Sequence, residues 1–184
     1  LTVSSGPPIF SPRKEETRRV EIEMFLKGYV HDPITYMPII VLREVSGERV
    51  LPIWVGKAEG DAIALQIEGI QTPRPMTHDL LKAVIEELGG RVERVVVCDL
   101  RDNTFYATLH VLSPSGPRTV DARPSDAIAL AQRSGARIFV EEAVIQKARS
   151  GGEPSREAMG VGRLDRLEKW LANLSDEDLG KYKM

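Results

Sequence analysis

Two short stretches of this chain gather the side chains that phosphate chemistry uses. The first, Arg74-Pro75-Met76-Thr77-His78-Asp79, offers a cation, a hydroxyl, an imidazole and a carboxylate where a helix is expected to begin. Free N–H groups and the positive end of a helix dipole favour an anion at such a point. An imidazole titrates near neutrality, so His78 suits general acid or base work. The second stretch, Asp121-Ala122-Arg123-Pro124-Ser125-Asp126, sets two carboxylates, a guanidinium and a hydroxyl at another strand-to-helix junction. Alternation along a strand puts Asp121 and Arg123 on one face. Asp121 and Asp126 have the chemistry to hold a divalent cation, Mg or Mn, and Arg123 and Ser125 that to hold a phosphate. Both stretches also have a plain structural reading. Thr77 would cap its helix, Asp79 would suit the dipole, and His78 would sit exposed on the first turn. Asp121 and Arg123 would be a buried ion pair, with Ser125 as a cap.

A third candidate is the strand-like run Thr104-Phe105-Tyr106-Ala107-Thr108-Leu109-His110. Phe105, Ala107 and Leu109 take one face; Thr104, Tyr106, Thr108 and His110 take the other. Tyr106 could stack on a base, or that face could be the solvated side of an antiparallel sheet. Lys57 and Glu59 precede the helix that matches the one after Ser125, so Lys57 joins the candidate substrate-binding set. His31-Asp32-Pro33 reads as a turn. The chain has no Walker loop, no Rossmann glycine fingerprint and no Gly-x-Ser-x-Gly elbow. With three scattered histidines and Cys98 as the lone cysteine, a structural zinc site is not expected, and an internal disulfide is impossible.

These candidates need elements to position them, and the first clue to those elements is a repeat. Asp61-Ala62-Ile63-Ala64-Leu65 returns unchanged as Asp126-Ala127-Ile128-Ala129-Leu130. Each copy follows a strand-like run, Arg49 to Val55 and Arg118 to Arg123, and each is closed by a glycine, Gly69 or Gly135. The period is too long for a solenoid and indicates one domain made of two similar halves. In the first half, alternation from Val20 to Leu26, then Met37 to Glu44 and Arg49 to Val55, predicts three strands. Pro52 cannot donate to a ladder, which marks the third as an edge or bulged strand. A helix carrying Ala58, Ala62 and Leu65 follows. A second starts at Thr77, with Leu81, Val84, Ile85 and Leu88 as its apolar stripe. In the second half, strands are predicted at Arg91 to Asp99, Thr104 to Leu112 and Arg118 to Arg123. A helix covers Ser125 to Ser134, Ile138 to Val140 is a short extended piece, and a short helix covers Glu141 to Ala148.

The 184 residues are 42% hydrophobic and 28% charged, the balance of a soluble globular protein. No apolar run approaches the roughly 18 residues of a membrane span. The first residues lack the apolar core of a signal peptide, so a cytoplasmic location is expected. A net charge of −2 supplies no global field for nucleic acid, and phosphate binding must come from local cations. Residues 1–18, rich in Ser and Pro and then in charge, read as a disordered tail. Residues 19–148 form the domain, with halves 19–90 and 91–148. Residues 149–184 hold a linker and an amphipathic helix with Leu164, Leu167, Leu171 and Leu174 at 3-4-3 spacing. That stripe must pack either on its own domain or on a partner chain, and a homodimer or higher homo-oligomer is expected.

Four strings in order resemble the bifunctional nuclease family: Leu51-Pro52-Ile53-Trp54-Val55-Gly56; Arg74 to Leu81; Thr104-Phe105-Tyr106-Ala107; and Asp121 to Leu130. The resemblance runs from about Val20 to Ala148. It implies an α+β fold, a duplicated unit of three strands and two helices forming a single barrel-like sheet with helices packed on it. It also implies nuclease activity on DNA and RNA. In that picture Arg74 and Arg123 bind phosphate, Asp121 and Asp126 hold a divalent metal that activates water, and His78 or Asp79 handles a proton. Lys57, Thr77, Tyr106 and Ser125 complete the substrate-binding set. A rival function for the same surfaces is a non-catalytic regulatory or scaffold domain that binds a small anionic ligand or a partner protein.

Overall fold

The computed structural model describes residues 19–149, apart from 33, 34 and 48. Strand β1 (Glu21–His31) turns Ile22, Met24 and Leu26 to one face, as alternation dictates. β2 (Pro38–Glu44) and β3 (Val50–Trp54) complete an antiparallel meander in which Pro52 opposes Val41. Helices α1 (Lys57–Ile67) and α2 (Thr77–Glu87) follow. β4 (Arg91–Arg101), β5 (Thr104–Ser113) and β6 (Gly116–Ala122) make a second meander. Its first hairpin turns on Asp102 and Asn103, both with positive φ, the requirement of a tight two-residue turn. The described chain ends with α3 (Pro124–Ser134), β7 (Arg137–Glu141) and α4 (Glu142–Arg149).

The strands form one mixed sheet in the order β3-β2-β1-β7-β4-β5-β6. This corrects the expected barrel. Closure would require the two end strands to pair, and here β3 and β6 stand at opposite edges of an open sheet. It also corrects the count in the second half, because the short extended piece after α3 is a full strand. β7 lies between the two meanders, antiparallel to β1 and parallel to β4, and joins them into one sheet. Pro52 sits on the edge strand β3, where its missing donor is harmless.

One face of the sheet carries the main core. Ile40, Leu42, Val95, Val97, Ala107 and Val140 meet Ile63, Ile128 and Leu130 from the helices. α1 packs on α3, and α2 packs on α3. Close approach of α1 to β2 depends on Gly60, where a Cβ would stand 2.6 Å from the Cβ of Pro38. The apolar stripe expected on α2 faces outward for the most part, and Ile85 is the member that reaches the core. Among the described residues no helix is long and apolar enough to cross a membrane. The N-terminal tail and the Leu164–Leu174 stripe, with the self-association expected from it, lie outside the described residues.

Candidate functional site

Three helix starts meet on the helical side of the sheet. α3 begins at Pro124, whose ring presets the first helical φ. That leaves Arg123 at the N-cap and Asp126 in the first turn. α2 begins at Thr77 with Met76 as N-cap, and the Asp79 carboxylate accepts the Met76 N–H at 2.9 Å. Thr77 is therefore the first helical residue and not the cap, and Ser125 is a buried residue of α3 that caps nothing. α1 begins at Lys57, with Glu59 in its first turn.

The two motif stretches touch. His78 Nε2 lies 3.2 Å from Asp126 Oδ1. The His78 residue is only 7% exposed, and no other member of α2 is buried. With Nε2 turned to a carboxylate, the neutral ring carries its proton there and leaves the Nδ1 lone pair as the basic nitrogen. No hydrogen bond to another described residue engages Nδ1. Arg123 completes the group. Its Nε donates to Asp126 Oδ2 at 2.7 Å, its Nη2 to Asp126 Oδ1 at 3.2 Å, and its Nη1 lies 2.8 Å from Glu59 Oε1. The guanidinium is largely exposed, so it presents its remaining edge to solvent. Burial opposes ionisation of Asp126, but the hydrogen bonds from Arg123 and His78 outweigh it and hold the carboxyl below its ordinary range.

Beneath this group lies a buried clamp. Arg133 near the end of α3 donates from Nε to Asp79 Oδ1 at 2.5 Å, from Nη1 to the Ala129 carbonyl at 3.0 Å, and from Nη2 to the Ala62 carbonyl at 3.0 Å. Its side chain is 5% exposed. One cation thus ties α1, α2 and α3 together and holds the α2 start, where His78 sits. For Asp79, burial raises the pKa, but the Met76 N–H and Arg133 lower it further, and the net shift is downward.

The other candidates lie apart. Asp121 is exposed on edge strand β6 opposite Thr108 of β5. Ala107 and Leu109 point into the core, so alternation puts Tyr106, Thr108 and Asp121 on the face away from the helices. Asp121 and Arg123 do not pair; Arg123 turns to Glu59 and Asp126 instead. Tyr106 lies under the Arg101 guanidinium, 4.9 Å from its ring centre. Lys57 and Arg74 are exposed, one on the first turn of α1 and one on the loop before α2. Among the described residues no group of three or more His, Cys, Asp or Glu side chains converges on a metal position. Asp126 already spends both oxygens on Arg123 and His78, so this donor set does not fit a cation as it stands. Arg133 carried no signal in the sequence, since nothing local distinguishes it from a solvated arginine in a last helical turn. Glu59 had one, its place at the matching helix start.

The model of the bifunctional nuclease domain matches residues 40–151. The Mycobacterium tuberculosis protein Rv1829 is 42% identical over 146 residues, 77% of this chain and 87% of its own length. Bifunctional nuclease 2 of Oryza sativa subsp. japonica is 32% identical over 139 residues, and Bifunctional nuclease 1 of Oryza sativa subsp. indica 24% over 148. These alignments take in 71% and 74% of this chain but only 42% and 45% of the two rice proteins.

Proposed function

The chain belongs to the bifunctional nuclease domain family, and from that premise we propose that it hydrolyses phosphodiester bonds of DNA and RNA where α1, α2 and α3 begin. The observation that carries the reading is the contact between His78 Nε2 and Asp126 Oδ1, which joins residues 48 apart in sequence. A nucleophile's base and the carboxylate that orients it need this geometry. Asp126 holds the His78 ring and stabilises its positive charge. Nδ1 takes the proton of the attacking water and returns it to the leaving oxygen. Arg123 exchanges a carboxylate partner for a non-bridging phosphate oxygen, a change between two charge-assisted pairs. Lys57, Arg74 and Thr77, all exposed, draw in the flanking phosphates; Tyr106 on the far face and the buried Ser125 take no part. Asp79 serves through the clamp that fixes α2.

The test is cleavage of supercoiled plasmid and of single-stranded RNA by highly purified protein. His78→Gln and Asp126→Asn should each lower the rate by about 100-fold or more, the usual contribution of a positioned proton carrier. Asp121→Asn, on the far face, should keep most of the rate. Variants that cut as well as the parent would remove the site. Binding of oligonucleotide with no cleavage would transfer the surface to the regulatory reading.

A further inference from the structure

Helix α2 turns its apolar side chains away from the domain it belongs to. Leu80 is 58% exposed, Val84 45% and Leu88 73%, and Met76 and Leu81 are exposed beside them. On a helix residues three and four apart are neighbours; Met76, Leu80, Val84 and Leu88 follow at four-residue spacing and Leu81 lies three before Val84, so they form one continuous face. The opposite side is held by His78, Asp79 and Ile85, so α2 cannot roll to bury its leucines without breaking the Arg133 clamp. A contiguous apolar face of this kind marks a docking surface.

We propose that residues 164–174 of this same chain dock on the outer face of α2. The chain continues for 35 residues beyond Arg149 to Met184, and this part of the sequence carries Leu164, Leu167, Leu171 and Leu174 at the spacing of one helical face. The α2 face has no cover among the described residues, and the sequence from 164 to 174 supplies an apolar stripe of matching chemistry. The connection can reach: the roughly 14 residues from 150 to 163 span up to about 45 Å when extended. A domain of this length has a radius of gyration of about 14 Å. A tethered segment competes at an effective concentration in the millimolar range, well above that of a second copy at micromolar protein. The proposal is independent of the nuclease reading, because neither stripe includes a residue of that site.

The test is disulfide capture in the full-length chain carrying Cys98→Ser. Val84→Cys is combined in turn with Leu164→Cys, Leu167→Cys, Leu171→Cys or Leu174→Cys, and oxidised at micromolar concentration. At least one pair should close as a monomer, faster than the same segment cysteines close onto Val120→Cys, an exposed apolar position on β6. Hydrogen exchange supplies the second readout: Leu167→Asp with Leu171→Asp should abolish protection of amides on the outer face of α2. Equal capture at positions 84 and 120, with unchanged exchange, overturns the proposal. Capture only as a dimer assigns the face to a second copy and overturns it as well.

Discussion

The buried side chain of α2 is a histidine, while its leucines turn away from the domain. That reverses what burial usually selects, and the compensation is electrostatic. His78 meets Asp126, and Asp126 is further held by Arg123. The arrangement has a pH signature. The folded-state pKa of Asp126 is depressed, so its contribution to stability is complete above the unfolded value. That contribution is lost as pH falls through the folded value. Asp79 is shifted the same way and adds to the same limb. Thermal melts should therefore lose Tm as pH falls below about 4, where an ordinary aspartate begins to protonate. Asp126→Asn should flatten that acid limb, with Asp79 left to supply what remains of it. An acid limb as steep as the parent's would show that the Arg123 and His78 contacts are not held in solution.

At the scale of elements, one buried cation ties α1, α2 and α3 together, and one missing Cβ lets α1 approach β2. Arg133→Met removes the ion pair to Asp79 and the side-chain donors to the carbonyls of Ala62 and Ala129. Urea unfolding should report a loss of roughly 2–3 kcal/mol, the range for charge-assisted hydrogen bonds lost from a buried site. Arg133→Lys keeps the charge but not the fork, and should recover only part of that. Gly60→Ala acts on the other side of α1. The added methyl meets Pro38 at 2.6 Å, so α1 must lift from β2. An overpacked contact of this kind costs about 1–3 kcal/mol, against the gain in helix propensity that alanine gives elsewhere. If the alanine variant proves more stable in denaturant, the helix–strand approach is looser than described.

At the scale of the whole molecule, the open sheet has two edges and protects them differently. β3 carries Pro52, and β6 carries Arg118 and Asp121, both exposed. Charges and prolines on an edge discourage pairing with another chain. Val120 between them is exposed and apolar, so those charges guard a strand otherwise ready to pair. Replacing Arg118 and Asp121 together by valine should produce concentration-dependent association, read by light scattering, without loss of the monomer's secondary structure. A double variant that stays monomeric at high concentration would locate the protection elsewhere.

The local chemistry of the chain was legible from its sequence because short-range rules govern it. Alternation marked the strands, Pro52 marked an edge, and the Asp61–Leu65 and Asp126–Leu130 copies marked two helices that pack on each other. The two motif stretches were also visible as helix starts. Contacts between distant residues were not visible. Nothing local says that a five-residue piece after α3 becomes β7 and joins two meanders into an open sheet, since parallel pairing with β4 depends on where the chain returns. Nothing local gave the rotation of α2, because its apolar stripe predicts burial, and the pull of Asp126 on His78 and of Arg133 on Asp79 acts across 48 and 54 residues. Asp121 parts from Arg123 for the same reason: alternation holds only while the strand lasts, and β6 ends at Ala122. Residue types and periods follow from neighbours in sequence. Which motif meets which is decided by packing, and only the folded chain carries that information.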